Sequence, residues 1–160
     1  MTLPASHIEE NFKLEADAYV DLYKVILRSG SSIYLKDNDD TTWQGNTYEG
    51  IAIRLKGVSQ HADEEVSRPT LTIANPDGVW NAAIRSGNLT KATLIQYRLL
   101  RAHLDADTNI YQMRTWMLWR PVSSDNEVAV FELRTQTDGH NAITPARMFI
   151  PPEFPLVNIR

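Results

Sequence analysis

The sequence predicts a mainly β fold, a small β-barrel or sandwich of about eight strands. Short segments rich in β-branched and aromatic residues alternate with turn residues at close spacing, which is typical of such folds. One short helix is inserted between the strands, and prolines accumulate near the C-terminal end. These features divide the chain into an N-terminal helix or arm over 1–17, a β domain over 18–140 and an extended, proline-rich C-terminal tail over 141–160.

The first element is predicted to be a short helix. Ser6 and Glu9 have the spacing of a capping box, in which each side chain binds a backbone N–H near the helix start. Ile8 and Phe12 fall on one face, and Asp17 is expected to end the helix. Such a helix can dock on its own chain or pack as a swapped arm on a neighbour, and docking is the favoured interpretation.

After the N-terminal helix, the sequence predicts six strand segments over residues 19–74. A tight hairpin is predicted around residues 44–46, where Gly45 or Asn46 supplies a positive φ. Pro69 fits only the first residues of a strand or an edge strand. Leu71 and Ile73 are expected on one face of the last segment. The predicted segments are 19–27, 33–35, 41–43, 47–48, 51–55 and 68–74.

The second half begins with the inserted helix. Residues 75–78 form a turn that can cap a helix over 79–85, which Gly87 ends, and no other helix is expected inside the β domain. Trp116 and Trp119 are three residues apart, so we expect them on opposite faces of one strand. The three longer strands are predicted over 91–103, 110–120 and 127–135.

Composition excludes several classes of protein. The 160 residues include no cysteine, which excludes a disulfide framework, a thiolate zinc site and an iron–sulfur cluster on these residues. With 20 acidic and 16 basic residues, the net charge of −4 disfavours nucleic-acid binding. No apolar run approaches the roughly 20 residues that cross a bilayer, and the pattern of a secretory signal is missing. We therefore expect no nucleic-acid binding and no membrane insertion by this chain.

No arrangement of residues indicates a metal site. The four histidines are far apart, and no two have a metal-binding spacing. The segment 105–109 matches the first three ligand positions of a calcium loop. However, Ile110 occupies the position that requires glycine, and Trp116 the position that requires a bidentate glutamate. Both this loop and the acidic loop at 37–40 are more simply explained as turns between strands.

No nucleophile or phosphate-binding motif is present in the sequence either. A catalytic pair of carboxylates of the glycosidase type remains an alternative, because acidic side chains distant in sequence can meet in space. The candidates for such a pair are Asp63, Glu64, Glu65, Glu127 and Glu132. We treat this as a low-ranking alternative and predict that the protein is not an enzyme.

Several short motifs follow one another in an informative order. Residues 42–48 have the form T-W-x-G-x-x-Y, and residues 68–75 read R-P-T-L-T-I-A-N. The segments V-F-E-L at 130–133, T-D-G at 137–139 and P-A-R-M at 145–148 follow. Together they resemble the amino-terminal domain of the minor tail protein L family of lambda-like, long-tailed bacteriophages. The resemblance runs from about residue 18 to residue 155.

The resemblance implies a structural, hub-type domain at the tip or baseplate hub of the phage tail. Such a domain connects the distal tail ring to the central fibre or receptor-binding hub. The implied partners are these tail proteins and copies of the chain itself in a ring, expected to be trimeric. The implied location is the virion, after synthesis in the cytoplasm of the bacterial host. The alternatives are a distal-tail ring or adaptor subunit of the virion and, ranked lower, a carbohydrate-binding or hydrolytic β domain.

One feature of the family does not carry over to this sequence. Longer family members continue into a cysteine-bearing carboxy-terminal domain that resembles an iron–sulfur site. Because no cysteine occurs among these 160 residues, we expect no cluster and no other cofactor on them.

The candidate functional residues are therefore protein–protein contacts, and no catalytic or metal-binding residue is assigned. The hairpin from Trp43 to Tyr48 is expected to form a rigid aromatic projection. Aromatic, methionine and arginine side chains are enriched at interfaces, which favours further residues of these types. The complete set is Trp43, Tyr48, Arg68, Pro69, Trp119, Arg120, Arg147, Met148, Phe149, Pro151 and Phe154.

Removing residues 145–160 should impair assembly into phage tails much more than folding, because a proline-rich segment adds little to a hydrophobic core. We expect the melting temperature of the truncated chain, followed by circular dichroism, to change by less than about 4 °C. Incorporation into tails should fall strongly in the same variant. A large drop in melting temperature would show that these residues belong to the folded core.

Overall fold

The computed structural model describes residues 4–10, 17–57 and 68–135, and within these ranges the mainly β prediction is confirmed. The helices are α1 (Ala5–Glu10), α2 (Val79–Arg85) and α3 (Arg101–Asp105). The strands are β1 (Tyr19–Ile26), β2 (Ser32–Lys36), β3 (Thr41–Trp43), β4 (Asn46–Gly50), β5 (Ile53–Lys56), β6 (Thr70–Ala74), β7 (Thr93–Leu100), β8 (Gln112–Ser124) and β9 (Val128–Arg134).

The nine described strands form one sheet in the order β3-β4-β2-β1-β7-β8-β9-β6-β5. The described pairs are antiparallel except for β2 with β4. Because β3 and β5 lie at the two edges, strand pairing does not close the sheet into a barrel. The backbone between β4 and β5 nevertheless connects distant strands, since Ile51 N–H binds the Lys36 carbonyl and Ala52 accepts from Ala74, both at 2.8 Å.

The inner face of this sheet curls around the main hydrophobic cluster. The cluster receives side chains from β1, β2 and β5 to β9, so the strands surround it. Trp80 of α2 and Leu89 of the following loop also contribute to it. Each fully buried leucine in such a cluster contributes about 1.5–3 kcal/mol relative to an exposed one. The least exposed strand residues of this cluster are Val25, Leu35, Leu71, Leu94, Leu118, Ala129, Phe131 and Leu133.

A second hydrophobic cluster lies on the opposite face of β1 and β7. Leu22 and Tyr23 are neighbours on β1, yet Leu22 belongs to the second cluster and Tyr23 to the first. Since adjacent strand residues point to opposite faces, β1 is buried on both sides. The hairpin of β3 and β4 packs over this outer face. The second cluster consists of Leu22, Trp43, Tyr48 and Leu99, with Val20, Tyr34, Tyr97, Leu104 and Tyr111 packed against it.

The hairpin is held by hydrogen bonds to the loop after α3. Trp43 Nε1 donates to the Thr108 carbonyl at 3.1 Å, and the Gln44 N–H donates to Asp107 Oδ1 at 2.7 Å. Asp107 therefore joins two distant segments, a role that its turn-like sequence does not indicate. In the two-residue turn, Gln44 has φ 51° and Gly45 has φ 71°. The predicted positive φ at Gly45 is confirmed, and the second left-handed residue is Gln44, not Asn46.

Asn75 ties the end of β6 to α2 and to the turn before β9. This fully buried residue donates its N–H to the Glu127 carbonyl at 2.7 Å, and its Oδ1 accepts from the N–H of Trp80 at 2.8 Å. A side-chain oxygen that accepts from a first-turn N–H fixes the start of a helix. The predicted helix over 79–85 is confirmed, and Gly87 follows it with φ 74°.

The prediction that α2 is the only inserted helix is wrong. Residues 101–103, expected to extend the preceding strand, lie in α3. Leu100 pairs with Tyr19, the first residue of β1, so the ladder ends there. Asp17 Oδ2 then accepts from the N–H of Ala102 at 2.8 Å, which satisfies a donor in the first turn of α3.

Strand β8 extends four residues beyond its predicted end at Arg120. It passes through Pro121, which cannot donate a ladder hydrogen bond. The pairing with β9 shifts register between Leu118 and Arg120 and again between Pro121 and Ser123. Proline is tolerated in strands at such irregularities, so the bulges explain the longer strand.

The N-terminal helix docks on its own chain over the described residues, as favoured. His7 is buried and lies edge-on to Tyr19, with 5.5 Å between ring centroids. Ser6 Oγ lies 3.2 Å from His103 Nε2. Since α1 begins at Ala5 and the Ser6 hydroxyl meets α3, the predicted capping box is wrong. Residues 11–16, which include the predicted end of this helix, lie outside the described residues.

Trp43→Ala should destabilise the chain by about 3–5 kcal/mol, because it removes a buried aromatic side chain and leaves a cavity between the hairpin and the sheet. Urea denaturation followed by far-ultraviolet circular dichroism measures this change. Val79→Ala is the matched control, since Val79 is largely exposed and should change stability by less than about 0.5 kcal/mol. Equal effects of the two substitutions would contradict the docked hairpin.

Candidate functional site

Two predicted interface residues, Arg68 and Arg120, bind the same carboxylate. Arg68 Nη1 donates to Glu132 Oε1 at 2.8 Å, and Arg120 Nε donates to Glu132 Oε2 at 2.9 Å. Arg134 approaches the first oxygen from the same strand at 3.3 Å. We call these four residues the arginine cluster.

Strand alternation and register bring the arginine cluster together. Along β9, Phe131 and Leu133 point into the core, so Glu132 and Arg134 point to the outer face. Arg120 of β8 is paired with Glu132 across the ladder, and residues paired in this way share a face. Arg68 lies two residues before Thr70, which pairs with Glu132 from the other side.

The arginines keep Glu132 ionised although it is only 5% exposed. Burial alone would raise the pKa of this carboxyl, but the hydrogen bonds from Arg120, Arg68 and Arg134 outweigh burial and hold the pKa below its usual range. A glycosidase acid needs the opposite shift, a raised pKa. This environment therefore fits an anchor for arginines better than one half of a catalytic carboxylate pair.

Trp119 flanks the arginine cluster. The guanidinium carbon of Arg134 lies 4.1 Å from the centroid of the Trp119 ring, a cation–π contact. Trp116 of the same strand is buried in the inner cluster, so the predicted opposite placement of the two tryptophans is confirmed. The register shift after Leu118 lies at Trp119 and explains how Trp119 and Arg120 both reach this side.

Pro69 lies immediately before β6, as expected for a proline at the start of a strand. Its carbonyl accepts from the N–H of Leu133 at 2.8 Å and extends the pairing of β6 with β9. Strand β6 is not an edge strand, since it lies between β5 and β9. The backbone of Pro69 thus holds Arg68 beside Glu132.

The predicted aromatic projection is not found. The side chains of Trp43 and Tyr48 are only 4% and 1% exposed and pack in the second cluster. The sequence alone reveals the aromatic hairpin. It does not reveal that the hairpin packs on a sheet face whose aromatic rings cover both residues. The remaining predicted contacts, Arg147, Met148, Phe149, Pro151 and Phe154, lie outside the described residues.

Sequence reasoning missed Glu132 and Arg134 as members of the predicted contact surface. The alternation of β9 places these two on one face, and that signal was available in the sequence. Their meeting with Arg68 and Arg120 depends on the register of three strands, which sequence alone does not reveal.

Two structural features are absent from the described part of the chain. Within residues 4–10, 17–57 and 68–135, no three His, Asp or Glu side chains are grouped so that they could hold a metal ion. Over the same ranges, no helix combines the length and apolar character that a bilayer span requires.

The family of the chain follows from a match over most of its length. A family model described as phage minor tail protein L matches residues 31–155. The chain belongs to this family. The resemblance seen in the sequence motifs is thereby confirmed, and a structural role in the phage tail follows from it. A comparison with curated proteins finds no match.

The fold of this tail protein is also similar to that of a chain in a solved structure titled "Virion of native gene transfer agent (GTA) particle". The TM-score is 0.66 at 16% sequence identity, and the match covers 92% of this chain and 50% of the other. This chain therefore spans half the length of that virion protein. At this identity the similarity shows a shared fold.

Glu132→Gln should destabilise the protein by about 1–3 kcal/mol at neutral pH, because it weakens charge-assisted hydrogen bonds in a buried position. Since the folded pKa of Glu132 is lowered, its stabilising effect is complete above the unfolded pKa of about 4.3. That effect is lost as the pH falls through the lower folded value. The stability gap between wild type and variant should therefore shrink in acid.

Denaturant titrations at several pH values measure this gap. Glu127→Gln is the matched control, because Glu127 is exposed in the turn before β9 and should change stability little at any pH. A gap that stays constant from neutral pH into acid would contradict the role given to the Glu132 carboxylate.

Proposed function

We propose that this minor tail protein is a structural, non-enzymatic subunit of the tail tip or baseplate hub. In this role it connects the distal tail ring to the central fibre or receptor-binding hub. Copies of the chain form a ring, with three copies as the proposed number. The protein is made in the cytoplasm of the bacterial host and functions in the virion.

The observation that carries this proposal is the family match over residues 31–155. The fold shared with a chain of a gene transfer agent virion supports it, because that chain also belongs to an assembled particle. The position at the tip, the neighbours and the ring are inferences beyond the family itself. They rest on the resemblance to the amino-terminal domain of the minor tail proteins.

The surface that best fits a contact with other tail proteins is the one formed by Arg68, Pro69, Trp119 and Arg120. The side chains of Arg68 and Arg120 are 55% and 66% exposed, so both can reach a partner. Arginine and tryptophan are the residues most often found at energetic hot spots of interfaces. Trp43 and Tyr48 do not belong to this surface, because both are buried in the second cluster.

The C-terminal residues Arg147, Met148, Phe149, Pro151 and Phe154 remain proposed contacts. We propose that the proline-rich segment that contains them lies across a neighbouring subunit. The truncation of residues 145–160 tests them separately from the arginine cluster.

Electron microscopy of purified tails that carry a labelled copy of this chain should place the label at the tail tip, in a three-fold arrangement. The arrangement follows from the proposed ring of three copies. Tails that lack the chain should fail to assemble or to carry a fibre. A six-fold ring would favour a distal-tail ring or adaptor subunit instead. Label outside the tail would overturn the proposal.

A further inference from the structure

We infer that the outer face of β5, β6, β9 and β8 is a docking site for a carboxylate-bearing polypeptide segment of a neighbouring protein. The inference deepens the proposed function, because a neighbour in the tail would supply that segment. We call this surface the basic face. It consists of the arginine cluster together with Lys56 and Trp119.

Charge is the first observation that supports the docking site. Lys56 of β5 pairs with Thr70 of β6, Thr70 pairs with Glu132 of β9, and Glu132 pairs with Arg120 of β8. Paired residues share a face, so Lys56 joins the arginine cluster in one row across four strands. Among the described residues, the basic face then carries four positive groups against the single negative charge of Glu132, on a chain whose net charge is −4.

The geometry of the guanidinium groups is the second observation. Within the described residues, Arg68 binds Glu132 through Nη1 and Arg120 binds it through Nε. A guanidinium carries five N–H donors in a planar fork, so both groups keep donors for an external carboxylate. Because Glu132 holds both arginine side chains in place, less side-chain conformational entropy is lost when a partner binds.

A protein segment fits this face better than a nucleic acid does. Its four basic residues can neutralise fewer phosphates than the roughly six to ten contacts that give DNA-binding proteins a strong salt dependence. Elsewhere the chain carries exposed acidic loops, among them Asp39 and Asp40 before β3 and Asp105 and Asp107 beyond β7. These loops would repel a long polyanion, whereas a short acidic segment meets only the basic face.

Trp119 adds an apolar element beside the positive charges. Its ring packs against Arg134, which is mostly buried, and forms a fixed platform at the end of the row. An aromatic anchor next to arginines is the composition of interface hot spots. We therefore expect the docked segment to carry an apolar side chain next to its carboxylates.

Binding of a fluorescent oligoglutamate peptide to the purified full chain tests the docking site. Arg68→Gln combined with Arg120→Gln should weaken binding by at least about tenfold. Arg28→Gln combined with Arg85→Gln is the matched control, because these exposed arginines lie outside β5, β6, β8 and β9 and the net charge changes equally. The control should weaken binding less than about twofold.

A second variant tests the docking site without removing any partner of Glu132. Lys56→Gln leaves the arginine cluster intact and should still weaken peptide binding about two- to fivefold, with an unchanged melting temperature. Equal losses in the cluster variant and its control would overturn the inference, since only total charge would then matter. Absence of peptide binding, or tighter binding of duplex DNA than of the peptide at about 0.15 M salt, would also overturn it.

These outcomes are separate from those of the proposed function. Finding the chain at the tail tip but no binding of the acidic peptide would refute the docking site without affecting the proposed tail role. A chain that binds the peptide but is not found in tails would refute the tail role, while the chemistry of the basic face would hold.

Discussion

The alternation of side chains along β9 is the constraint on which both the core and the candidate interface depend. Ala129, Phe131 and Leu133 point inward and are almost completely buried, while Glu132 points to the outer face between β6 and β8. A buried carboxylate is costly unless it is hydrogen-bonded and paired with positive charge. The arginines that satisfy it come from both flanking segments and from β9 itself. The register of β9 against β6 and β8 therefore determines both the core packing and the positions of these arginines.

The outer surface of the curled sheet is divided into two parts with different roles. Over β1 and β7, the β3–β4 hairpin covers the sheet and buries Trp43 and Tyr48 in an apolar cluster. Over β8, β9 and β6, the described part of the surface carries the arginine cluster, in which the side chains of Arg68 and Arg120 are exposed. The aromatic hairpin motif and the arginine-containing motif therefore have different structural roles. The first completes the fold, and the second presents charged groups to the outside.

Local pattern predicted most of the elements, because strand alternation, turn residues and the helix after Asn75 are encoded in short stretches. It failed where a distant segment decides the outcome. Helix α3 begins where Asp17, more than 80 positions away in sequence, accepts from the N–H of Ala102. Asp107 likewise binds Gln44 of another hairpin. The sequence singled out Arg68, Trp119 and Arg120 as proposed contacts, but the carboxylate that organises the arginines became visible only with the strand register.

The distribution of charge limits how this tail protein can contact its neighbours. A net-acidic chain repels acidic partners at long range, and screening reduces this repulsion beyond roughly 8–10 Å at physiological salt. An acidic segment is therefore attracted only once it lies close to the basic face, where arginines held by Glu132 need little reordering. Such an arrangement favours one orientation of approach over others, because like charges elsewhere on the surface oppose it. In the proposed tail assembly, where each copy joins in one orientation, this selectivity matters more than raw affinity.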